Sequence, residues 1–116
     1  MQAYYFFMNK NRLQLLLEFY KEDSHDPFNV YALAMEYSNN DAERAKFYLD
    51  ELLAKHPDYL PTYYHAAALY AEIGQKERVE ALYERGMWLS LQQQQTRTYQ
   101  ELQRAFRAFQ DEEADV

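Results

Sequence analysis

The stretch YYHAAALYAEIG, residues 63–74, sets three consecutive alanines between large rings and stops on a glycine. On a helix Tyr63, Ala66, Ala67 and Tyr70 share one face, because residues three and four apart lie one above the other. That face is large at its ends and nearly flat in its middle, a shape that lets a second helix come close. Gly74 suits the left-handed exit of such a helix, where a Cβ would be strained.

The rest of the chain is punctuated in the same way. Asp26 before Pro27 reads as an N-cap followed by a proline at the first helical position, where its missing N–H costs nothing. In SNNDAE, residues 38–43, a turn leads into a new start, with Asn40 three residues before Glu43 in capping-box spacing. His56-Pro57 ends that helix, since a residue before proline avoids helical dihedrals. Pro61 opens the next, and Thr98 with Glu101 makes a second capping box near the C-terminus. These signals predict six helices, at about 9–22, 27–38, 41–55, 60–73, 75–94 and 98–112. A length of 116 residues with only 2 glycines and 3 prolines fits one all-α domain better than a many-stranded sheet.

The pattern around the alanines occurs twice. Shifted by 33, Tyr31, Ala34 and Tyr37 fall on Tyr64, Ala67 and Tyr70. Shifted by 34, Glu43-Arg44 falls on Glu77-Arg78, Ala45 on Val79 and Leu49 on Tyr83. The flanks obey the same ruler. Tyr99, Leu102, Gln103 and Phe106 repeat the spacing that begins at Tyr63, and Leu16 and Phe19 precede Leu49 and Leu52 by 33. The first helix therefore reads as a second helix without its first, and the last as a first helix without its second.

Tyr63, Ala66, Ala67, Tyr70, Val79 and Tyr83 resemble the tetratricopeptide repeat, a 34-residue pair of helices. The earlier copy runs Val30, Leu33, Ala34, Tyr37, Ala45, Leu49 and the closing Pro57. No tryptophan holds the first position, alanine replaces the family's glycine in both copies, and Leu91 stands where a second closing proline would be. The resemblance implies a right-handed superhelix of antiparallel helix pairs. Its map is one domain over 1–116: an N-terminal segment and capping helix (1–26), repeat 1 (27–58), repeat 2 (59–95), and a C-terminal capping helix with an acidic tail (96–116). Such repeats bury their apolar faces only by stacking, so caps at both ends are expected.

Composition narrows the function. A net charge of −7, from 19 acidic and 12 basic residues, opposes nucleic-acid binding, which draws its affinity from neutralised phosphates. With no cysteine there is no disulfide, thiolate metal site or cysteine nucleophile. His25, His56 and His65 lack metal-ligand spacing. Ser24, Ser38 and Ser90 lack a nucleophile-elbow context, and no glycine-rich phosphate loop is present. Glu43, Glu77, Arg44 and Arg78 read as helix-start charges on a solvated face. The expectation is a non-catalytic protein with no cofactor and no metal. The opening MQAYYFFMNKNR has no basic n-region or cleavage pattern, and no stretch approaches the ~20 apolar residues of a membrane span. No membrane association is expected, and the cytoplasm is the default location.

The resemblance implies that the first helix of each pair lines a concave surface holding a peptide or a segment of a partner protein. Carried over through the motif, the facing residues are Phe28, Tyr31, Met35 and Ser38, then Tyr64, His65, Ala68 and Ala71. The last helix adds Gln100, Arg104 and Arg107. Rings and methionine offer adaptable apolar contact, and arginine can fork onto a carboxylate. The alternatives are that Tyr31, Met35 and Tyr64 belong to the core, and that Arg104 and Arg107 pair with Glu101 and Asp111 at helical spacing. The lysine–asparagine clamp by which some relatives grip chaperone tails is missing, because Tyr31, Met35, Tyr64 and Ala68 hold those places. AYYFFM, residues 3–8, is the oddest segment. It reads as a helix extension into a partner, a strip lying on the molecule itself, or sequence upstream of a biological start at Met8. A homodimer through this N-terminus and the end helices is the rival function. QQQQ, residues 92–95, reads as a solvated helix end.

Overall fold

The computed structural model describes the backbone of residues 2–115 and the side chains of residues 11–115. Six helices follow one another: α1 (Gln2–Glu22), α2 (Pro27–Tyr37), α3 (Ala42–Lys55), α4 (Pro61–Ile73), α5 (Lys76–Gln92) and α6 (Thr96–Ala114). The described residues contain no strand. The chain divides into two compact units, Met1–Pro57 and Asp58–Val116, so that α1–α3 make the first and α4–α6 the second.

The helix ends show which local signals won. Asp26 caps α2, accepting the Phe28 N–H at 2.9 Å, with Pro27 in the first position. Gly74 leaves α4 at φ 89°, and His56 closes α3. The expected Asn40 cap is corrected: Asp41 accepts the Arg44 N–H at 3.1 Å, while the Asn40 N–H donates to the Tyr37 carbonyl. A carboxylate suits the positive end of a helix better than an amide does. The Thr98–Glu101 box is corrected as well. Gln94 adopts the left-handed conformation, at φ 57°, and the Gln95 N–H closes on the Ser90 carbonyl at 2.8 Å. That turn lets α6 start at Thr96, with Gln95 at the cap position and no side-chain cap bond. The glutamine run also ties down a loop, since Gln93 Nε2 donates to the Asp58 carbonyl at 2.8 Å. At the other end α1 starts at Gln2, well before the expected residue 9. The backbone of residues 3–8 is thus helical, and the side chains of AYYFFM lie outside the described residues.

In the second unit α4 packs on α5, and α5 on α6. Ala66 and Ala67 are fully buried, as expected of a close crossing. The partner feature on α5 is Gly86, in mid-helix. A Cβ built there would lie 2.8 Å from Tyr63 Cβ and 3.1 Å from Leu102 Cδ1, so one glycine admits both neighbours. Tyr83 stacks on Phe106 at 5.3 Å and 20°, and Lys76 pairs with Glu113 at 2.6 Å, fastening α6 along its length.

In the first unit Val30, Leu33 and Ala34 of α2 are buried, as are Ala45, Leu49 and Leu52 of α3. Arg12 of α1 forks onto Glu36 at 2.9 and 3.1 Å, and Asn29 Nδ2 donates to the carbonyls of Phe19 and Asp23. The expected match of Leu16 and Phe19 to Leu49 and Leu52 is only partial. Leu16 is half-buried, but Phe19 is 43% exposed. Tyr20 turns toward α3 instead. Its O–H donates to Glu51 at 2.9 Å, and its ring meets Tyr48 edge-on at 5.6 Å. Tyr48 in turn stacks on Tyr37 at 5.9 Å. One residue rotates the contact face by about 100°, and a hydroxyl that reaches a half-buried carboxylate is better used there than a phenyl ring.

Two measurements check this packing. Gly86→Ala gains about 1 kcal/mol of helix propensity. It should still lose about 1–2 kcal/mol net in urea denaturation, because its Cβ has backbone-anchored Tyr63 Cβ in its way. Ala67→Leu should lose about 1–3 kcal/mol, whereas exposed Ala71→Leu should lose little. The second concerns Tyr20, whose phenol is pushed up to about 12 by burial and then by its bond to Glu51. A pKa raised on folding stabilises fully below the unfolded value and loses that stabilisation as pH rises through the folded one. Tyr20→Phe should therefore cost about 1 kcal/mol at neutral pH. The gap from the parent should close between pH about 10 and about 12.

Candidate peptide-binding surface

The alternation of buried and open positions on α4 follows its sequence. Thr62, Tyr63, Ala66, Ala67, Leu69 and Tyr70 are buried, while Tyr64, Ala68 and Ala71 lie open on one stripe at spacings of four and three. Tyr64 is 45% exposed, although its ring is large and apolar. It meets the neighbouring His65 edge-on at 5.5 Å. Burial, with the Tyr64 hydroxyl nearby, pushes the Tyr83 phenol up from its ordinary value. Tyr83 is itself buried and stacks on half-buried Phe106. His65 is half-buried, and burial pushes its imidazole below the usual histidine range, which keeps it neutral at pH 7.

On α2 the predicted residues are less open. Phe28 is 61% exposed and Ser38 is exposed, but Tyr31 and Met35 are half-buried. Ser38 Oγ donates to the Met35 carbonyl at 2.8 Å, so it is spent on the end of its own helix. On α6 Gln100, Arg104 and Arg107 are all exposed. The proposed pairing with Glu101 and Asp111 does not form, and neither arginine has an ion-pair partner among the described residues. Phe28, Tyr31 and Met35 belong to the first unit, and Tyr64, His65, Ala68, Arg104 and Arg107 to the second.

Two features were not read from the sequence. Arg44 and Arg78 do stand exposed at helix starts, but each also covers a tyrosine: Arg44 lies 5.6 Å from the Tyr37 ring centre, and Arg78 lies 4.5 Å from that of Tyr70. The signal was present, since each arginine repeats with its tyrosine at the same interval plus one residue of loop. The second is on α5, where the buried set Val79, Leu82, Tyr83, Gly86, Leu89 and Ser90 leaves Trp88 and Leu91 open. Placing Trp88 off that periodic face would have revealed it. Among the described residues no group of histidines and carboxylates is arranged to hold a metal, and no helix is long and apolar enough to cross a membrane.

No family model matches the chain. No curated protein matches it either. Solved structures do. A crystal structure of a tetratricopeptide repeat domain protein from Salinibacter ruber superposes with a TM-score of 0.70 at 32% identity, over 74% of this chain and 97% of that one. A solution NMR structure of a tetratricopeptide repeat domain protein from the same organism gives 0.69 and 33%, over 75% and 89%. With two copies of the helix-pair motif in register, the same residues buried in each, and this identity over nearly the whole of a solved repeat domain, the chain belongs to the tetratricopeptide repeat family.

Proposed function

We propose that this protein is a non-catalytic binding module that holds a peptide or a segment of a partner protein on the open faces of first helices, foremost α4 and α6 of the second unit. The observation that carries the reading is Tyr64. A large ring left 45% exposed beside exposed Ala68 and Ala71, on a helix whose other face is buried, is an apolar seat for a ligand side chain. Phe28 offers a comparable ring on α2, with Tyr31 and Met35 along the same face. Arg104 and Arg107 are unspent cations on α6 that suit a carboxylate of the ligand. The family's general role in protein–protein contacts supports the same direction. The reading requires no cofactor, nucleic acid or membrane, and it takes the protein to act as an adaptor or scaffold in the cytoplasm.

One observation favours the rival reading of a homodimer through α1. Leu15 and Phe19 are 48% and 43% exposed on that helix. Light scattering decides between them, since a chain that dimerises through α1 is a dimer until both residues are replaced by serine.

The groove is tested on a partner captured from the source cells and mapped to a peptide. Tyr31→Ala with Tyr64→Ala should abolish peptide binding while circular dichroism stays helical, since truncating a central aromatic anchor costs more than about 1 kcal/mol. Arg104→Glu with Arg107→Glu should weaken binding in a salt-dependent way. His25→Ala and His56→Ala should leave it unchanged. Loss of helicity in the tyrosine pair would assign those rings to the core, and retained binding would place the interaction elsewhere.

A further inference from the structure

Helix α5 carries a second open stripe that the groove does not use. Gly86 faces Tyr63 of α4 and Leu102 of α6. At about 100° per residue, Trp88 stands roughly 200° round the helix from it and points away from both neighbours. Trp88 is 50% exposed and Leu91 56%. The Arg85 guanidinium lies 4.6 Å from the indole ring centre, bracing one side of the ring. Tryptophan and arginine are both among the residue types enriched at the energetic centres of interfaces.

The same line continues toward the start of the helix through Glu84, Glu80 and Glu77, at spacings of four and three. All three are exposed, and none has an ion-pair partner among the described residues. The nearby cations are engaged elsewhere, Lys76 with Glu113 and Arg78 over Tyr70. The stripe is thus apolar at one end and negative along the two turns before it. Its complement is a helix with an apolar anchor at one end and lysines or arginines along the same face. A second copy of this chain fits poorly, because each copy brings a net charge of −7.

We infer that the outward face of α5 docks a basic amphipathic helix of a partner protein, with Trp88 and Leu91 receiving its apolar anchor and Glu77, Glu80 and Glu84 its cations. This surface is separate from the groove, so the chain can join two proteins rather than hold one. Burying the indole fixes the anchor, while the glutamates set orientation and speed association.

Trp88 is the chain's one tryptophan, so its fluorescence reports this surface directly. The probe is a synthetic helical peptide with leucines at one end and lysines three and four apart on the same face, against a version with glutamate for lysine. The lysine peptide should shift the emission to the blue and reduce acrylamide quenching, and the glutamate peptide should do neither. Glu77→Gln with Glu80→Gln and Glu84→Gln should weaken binding about tenfold at low salt and flatten its salt dependence. Asp111→Asn with Glu112→Gln and Asp115→Asn removes the same charge elsewhere and should bind as the parent does. The inference is overturned if no shift occurs or if both charge triples weaken binding equally. A blue shift that grows with protein concentration alone would also overturn it, by making a second copy the occupant.

Discussion

The close approach of α5 to Tyr63 is the constraint on which the second unit rests. Helix axes usually stand 8–10 Å apart, according to the side chains between them. Here Gly86 contributes none, and Tyr63 and Leu102 come within a Cβ's reach of its backbone. The cost is about 1 kcal/mol of helix propensity, because glycine is a poor helix former. The return is that one helix turn contacts α4 and α6 together, so Tyr83 can lie flat on Phe106 and Leu102 can be fully buried. The first unit meets the same demand differently. Leu52 occupies the place one repeat before Gly86 and is itself completely buried, so space there is filled rather than vacated.

The two repeats also share a finish on their first helices. Tyr37 and Tyr70 are buried with a guanidinium laid over each ring, from the arginine in the first turn of the following helix. A cation on a ring face is worth about 0.5–1 kcal/mol at an exposed site. It also lets a charged residue shield aromatic surface that water would otherwise reach. In repeat 1 the Arg44 guanidinium additionally donates to the Tyr37 hydroxyl at 3.4 Å and pairs with Asp41. The loops differ by one residue, yet the contact is kept.

Much of this was legible in the sequence because it depends on periodicity and on proline and glycine. The alanine stripe, the interval of 33–34 and the breakers at Pro27, Pro57, Pro61 and Gly74 placed the helices and most of the core. The misses share a cause. Asn40 and Thr98 had the right chemistry for caps, but neighbours decided the register: Asp41 offers a charge, and Gln94 accepts left-handed dihedrals that glutamine seldom adopts. Tyr20 took the place expected of Phe19 because Glu51, thirty-one residues away, gives its hydroxyl a partner. On the candidate surface, motif matching found Tyr64 but could not separate it from half-buried Tyr31, because exposure depends on the whole packing. Trp88 escaped because the family pattern assigns no role to that position.

The order in which the helices pack bears on how the chain reaches its fold. Within each unit every helix packs mainly on the next one along the sequence, α1 on α2, α2 on α3, α4 on α5 and α5 on α6. Native contacts therefore close only short loops, and the entropy lost before each contact forms is small. Low contact order of this kind goes with folding in microseconds to milliseconds. Nucleation can begin at either helix pair and spread to its neighbour. Closing the short turns at Gly74 and Gln94 brings neighbouring helices of the second unit together without any distant pairing.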